Sequence, residues 1–69
     1  MFTKKERKAA KYFLEFIQDA KWIQKSISGK VYLLDENDEI ISALNPSKFK
    51  DIGVGQTWLL KTISEGKVK

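Results

Sequence analysis

Val31-Tyr32-Leu33-Leu34 and Ile40-Ile41-Ser42-Ala43-Leu44 flank the polar run Asp35-Glu36-Asn37-Asp38-Glu39. Two short apolar runs around a polar turn signal a β-hairpin. Asn37-Asp38 suits the turn centre, because Asn and Asp tolerate left-handed backbone geometry. Asp35 then faces Ile40, Leu34 faces Ile41, Leu33 faces Ser42, Tyr32 faces Ala43 and Val31 faces Leu44. Side chains alternate between faces along a strand. One face carries Tyr32, Leu34, Ile41 and Ala43; the other carries Val31, Leu33, Ile40 and Leu44. Neither is polar, whereas a sheet covered on one side normally alternates apolar with polar.

Upstream, Thr3-Lys4-Lys5-Glu6 fits a capping box, with Thr3 as N-cap. Ala9, Phe13, Phe16, Ile17, Ala20, Ile23 and Ile27 follow at helical spacing. Gly29 suits the position just past a helix end. This pattern predicts a helix over residues 4–27. Trp22 falls about 160° from the centre of its apolar stripe. It shares that outward side with Lys4, Arg7, Lys11, Leu14, Gln18, Lys21 and Lys25.

Downstream, Asn45-Pro46 can cap and start one helical turn over 46–51, ended by Gly53. Thr57-Trp58-Leu59-Leu60-Lys61-Thr62-Ile63 reads as a third strand. Ser64-Glu65-Gly66 ends it, and the basic tail beyond reads as frayed. The expected fold is α+β: one domain over 1–69, a long N-terminal helix on a three-stranded antiparallel sheet (α-β-β-β). Curling toward a small barrel, closed by the 46–53 loop, is one way to bury the second apolar face. Pairing with a copy of the chain and holding another molecule are the others. A helix followed by three antiparallel strands resembles part of the double-stranded-RNA-binding domain, minus that domain's second helix; no residue is carried across from it.

The chain has 69 residues, no Cys and no His, and a net charge of +4. Residues 1–30 hold eight basic and three acidic side chains, a balance of +5; residues 31–69 hold five and six, a balance of −1. The basic character therefore belongs to the N-terminal segment, which permits contact with an acidic surface or nucleic acid. Missing His and Cys remove the commonest general base, the thiol nucleophile and most transition-metal sites. Asp35-x-Asn37-x-Glu39 lacks the sixth-position Gly and the flanking helices of a calcium loop. Gly53-Val54-Gly55 lacks the pattern of a phosphate loop. No enzyme, cofactor, metal or small-molecule substrate is expected. No signal segment or membrane span is legible, and the expected location is the cytoplasm.

What remains is binding. The leading expectation is a non-catalytic protein acting through protein–protein contact, as an inhibitor, adaptor or self-assembling subunit. Lys11, Leu14, Lys21, Trp22 and Lys25 form one candidate surface, and Tyr32, Leu34 and Trp58 the other. The alternative is a nucleic-acid-binding accessory protein, with helix cations on phosphate and Tyr32 or Trp58 stacked on bases.

Overall fold

The computed structural model describes residues 2–66; the tail expected to fray, 67–69, lies outside the described residues. The chain runs α1 (Lys4–Phe16), β1 (Trp22–Lys25), β2 (Val31–Leu34), β3 (Ile40–Leu44), a 3₁₀ turn (Pro46–Lys48), β4 (Thr57–Leu59) and α2 (Leu60–Ser64). The fold is α+β, with one sheet in the order β3-β2-β1-β4. All three pairings are antiparallel. The sheet has four strands where three were expected. It stays open, so curling into a barrel, one of the three ways to bury the second face, does not occur. Its fourth strand and closing helix also separate it from a helix–three-strand–helix order.

The α1 N-terminus forms as its residues dictate. The Glu6 amide donates to Thr3 Oγ1 at 3.1 Å, and the Thr3 amide donates to Glu6 Oε1 at 2.8 Å. The other end corrects the sequence reading: α1 stops at Phe16, not residue 27. Ile17 turns to extended backbone while its amide still donates to Phe13 O. Residues 22–25 then become β1, a central strand bonded to β2 on one side and β4 on the other. Within Trp22-Ile23-Gln24-Lys25 only Ile23 is fully buried, between its partners Leu33 and Trp58.

Gly29 explains why the helical pattern misleads. Its φ is +92°, which a residue past a helix end commonly adopts. The third residue of a three-residue hairpin loop adopts it too. Here it is the hairpin: the Ser26 amide donates to Lys30 O and the Gly29 amide to Ser26 O. The β2–β3 turn repeats this geometry. The Asp35 amide donates to Glu39 O, the Asp38 amide donates to Asp35 O, and Asp38 holds φ +64° where Gly29 sits in the first turn. Ser26 Oγ accepts the Lys30 amide, and Asp35 Oδ1 accepts the Glu39 amide. One turn design thus makes both hairpins.

The predicted β2–β3 hairpin is present, and Val31, Tyr32 and Leu33 pair with Leu44, Ala43 and Ser42 as expected. A bulge then shifts the register, so Leu34 pairs with Ile40 rather than Ile41. Such a bulge opposes two residues on one strand to one on its partner.

The expected third strand over 57–63 is also corrected. Only Thr57–Leu59 is strand, and it lies beside β1 instead of extending a meander past β3. The Leu60 amide donates to Lys21 O, and the chain then coils into α2. Leu60, Ile63 and Ser64 are buried at helical spacing. The core gathers Ile23, Val31 and Leu33 from the sheet, Ala10 from α1, and Leu60 and Ile63 from α2. The Asn45–Gln56 connection adds Phe49 and Ile52, both about 1% exposed. Burying each contributes about 1.5–3 kcal/mol. Instead of closing a barrel, this connection fills the space between sheet and helix, where Phe49 stacks on Phe13.

Candidate interaction surface

Register and alternation sort the sheet into two faces. The row Ser42–Leu33–Ile23–Trp58 turns toward the helices. Trp58 packs edge-on against Phe2, their ring centroids 5.2 Å apart. The row Ile40–Leu34–Trp22–Leu59 turns the other way. These four paired residues cross all four strands, about 14 Å at ordinary strand spacing. Ala43–Tyr32–Gln24–Thr57 forms the next row, with Gln24 Nε2 donating to Thr57 Oγ1 at 3.3 Å.

Among the described residues, no helix covers this second face. Leu34 is only 4% exposed yet lies outside the main core cluster. Trp22 and Ile40 pair with it directly, and Tyr32 lies two residues earlier in its own strand. Ile40, Ile41 and Leu59 are exposed.

At the Leu34 end, the face meets an acidic rim. Asp35, Glu36, Asp38 and Glu39 form the hairpin tip, and a polar recess there is lined in part by Asp19, Asp35 and Glu36 together with Lys21. Asp35 Oδ1 accepts the Asn37 and Glu39 amides at 2.8 and 2.9 Å, so that oxygen serves the turn. Among the described residues, no group of three acidic side chains gathers as a metal site.

No family model, curated protein or solved structure matches this chain. Its surfaces must be judged on their own chemistry.

The predicted site residues are redistributed. Trp22 does not stand on a helix among cations; it joins Tyr32 and Leu34 on the open sheet face. Trp58, grouped with Tyr32 and Leu34 from the sequence, faces the opposite way, because β4 pairs with β1 in the register Ile23↔Trp58. Lys11 and Leu14 lie exposed on α1. Lys21 is exposed in the link before β1, and Lys25 is half-buried at the far end of β1. The proposed helix surface of Lys11, Leu14, Lys21, Trp22 and Lys25 is therefore not assembled as one helix face. Nor does Tyr32 join the helix cations, since it faces away from α1.

Sequence reasoning missed Leu59 and Ile40 as members of the open face. The Ile40-Ile41 pair was the available signal, since two adjacent apolar residues in a strand cannot both follow simple alternation. It also placed Phe16 in the buried stripe, whereas Phe16 is 64% exposed and packs on Tyr12, itself 56% exposed. Between α1 and the 3₁₀ turn runs a groove of about 770 Å³, lined in part by Lys5, Lys8, Tyr12, Ser47, Lys48 and Lys50. Among the described residues, no helix is long and apolar enough to cross a membrane.

Proposed function

We infer that this chain is a non-catalytic binding domain that receives a protein partner on the open face of its sheet. The observation that carries this reading is the row Ile40–Leu34–Trp22–Leu59, apolar across every strand, with Ile40 and Leu59 exposed at its ends and Ile41 exposed next to Ile40. Contiguous apolar surface left uncovered by a small domain marks a contact site. A centrally placed Trp is the commonest kind of binding hot spot. The absence of His and Cys supports a binding role over catalysis. The acidic rim specifies the partner's chemistry: an apolar ridge flanked by Lys or Arg, which the hairpin carboxylates attract and orient.

The test starts from a partner recovered with the tagged protein and then titrated as a purified component. Trp22→Ala is expected to weaken binding by about 2 kcal/mol, roughly thirtyfold. Ile40→Glu changes an exposed residue and is expected to weaken it comparably while leaving the fold intact. Unchanged affinity in both variants refutes the surface. Concentration-dependent dimerisation that Ile40→Glu abolishes makes the partner a second copy of the chain.

A further inference from the structure

We propose that the groove between α1 and the 3₁₀ turn binds single-stranded nucleic acid, with lysines on phosphate and Tyr12 and Phe16 stacked on bases. This site lies on the helix side of the sheet and shares no residue with the open face.

Four lysines converge on the groove from two separate elements. Lys5 and Lys8 come from α1, while Lys48 and Lys50 come from the turn and the residues after it. All four are exposed. On the helix, Lys5, Lys8, Tyr12 and Phe16 follow spacings of three, four and four, which places them in one stripe. The stripe is about 16 Å long. Tyr12 and Phe16 touch, with ring centroids 4.9 Å apart, and both leave more than half their surface in water. A cationic track ending in exposed aromatic rings is how unpaired strands are held: charge follows the backbone, and any base can stack. Bases locked in a duplex do not offer those faces, so the rings favour a single strand.

The charge placement also works against the helix itself. Lys4, Lys5, Arg7 and Lys8 crowd the N-terminal turns of α1, where the helix dipole disfavours cations. Lys4–Lys8 and Arg7–Lys11 are like-charged pairs four residues apart, which also destabilise a helix. Of these cations Lys5 and Lys8 line the groove, while Lys4, Arg7 and Lys11 line a separate recess that Lys8 also borders. The proposal rests on the lysine side chains and the rings, not on the helix terminus, where the capping box engages the Thr3 and Glu6 amides. Glu6 lines the groove, but Oε1 accepts from the Thr3 amide and Oε2 from the Asp51 amide at 3.3 Å.

Fluorescence anisotropy with labelled dT12 and U12, at 50 and 200 mM salt, tests the proposal. Four phosphate contacts on a single strand predict a log–log salt slope of about −2.8, or roughly a fiftyfold loss across that range. Lys8→Ala should reduce the slope by about 0.7. Tyr12→Ala should weaken binding by about 5- to 160-fold and leave the slope unchanged. The two probes show whether RNA or DNA is preferred, and binding of either supports the site. Circular dichroism confirms that these surface variants remain folded. Four results overturn the proposal: no binding of either probe at 50 mM salt; undiminished binding by Lys5→Glu/Lys48→Glu; equal or tighter binding of a 12-bp duplex; or binding only to phosphatidylserine vesicles. None of them touches the open-face reading, whose variants lie across the sheet.

Discussion

Replacing Glu6 by Ala should destabilise the fold by about 2–3 kcal/mol, although Glu6 is one charged residue near the chain start. Its side chain is only 2% exposed. One oxygen accepts the Thr3 amide at 2.8 Å and the other the Asp51 amide at 3.3 Å. The first is a short, charge-assisted bond, and losing it costs about 1.5–2 kcal/mol. The second is long and adds about 0.5–1 kcal/mol. The sum is a large share of the roughly 3–10 kcal/mol expected for a domain of this size. At 4–8 °C per kcal/mol, Tm should fall by about 10–20 °C. Glu6→Gln keeps the stem and one acceptor oxygen, so it should lose less. Urea unfolding followed by circular dichroism gives the free energies, and hydrogen exchange at the Asp51 amide reports the tie to the loop. If Glu6→Ala unfolds within 0.5 kcal/mol of the wild type, or Asp51 exchange does not accelerate, the account of Glu6 as a two-element clasp is refuted.

Ile27 is 88% exposed in the first hairpin loop, so Ile27→Asp should change stability by less than about 0.5 kcal/mol; a loss of several kcal/mol in urea unfolding would instead favour a helix running through residue 27. Trp58→Ala should cost about 3 kcal/mol, because it empties a site packed on Phe2, and Trp22→Ala clearly less, since Trp22 lies on the uncovered face. Thermal melts of the two variants rank them, and the reverse order contradicts the face assignment. At Gly29 an added Cβ meets nothing within 4 Å, so Gly29→Ala should cost only the strain of positive φ, about 1–2 kcal/mol. Asp38→Gly, at the equivalent position of the second hairpin, should be neutral or slightly stabilising by the same measurement.

The residues themselves determined several features that depend on near neighbours, though not the turn at Gly29, whose positive φ fits a helix end as well as a hairpin. Thr3 and Glu6 make their capping box across three positions. Asn45 accepts the Ser47 amide and starts the turn at Pro46. The run from Val31 to Leu44 folds back on itself because its turn chemistry and two apolar flanks lie within fourteen residues. The surplus of apolar residues on both faces of that hairpin was also legible, and it pointed to a face that no helix covers.

Tertiary structure decided the segments whose local signals fit two states. Ala20, Ile23 and Ile27 continue a helical spacing, yet Trp22–Lys25 is a strand. Strand won because β1 gains ladder bonds from β2 on one side and β4 on the other while Ile23 enters the core. β2 follows β1 after one short turn, but β4 lies more than thirty residues downstream, and no local window contains its share of that gain. The same holds for Thr57–Ile63, where three residues pair with β1 and the rest coil so that Leu60 and Ile63 reach the core. The place of β4 then fixed the faces: Trp58 went inward, Leu59 outward, and Trp22 left the helix cations for the open sheet. Local chemistry writes caps and turns, whereas the choice between helix and strand at an ambiguous run belongs to whichever distant surface can satisfy its backbone and bury its side chains.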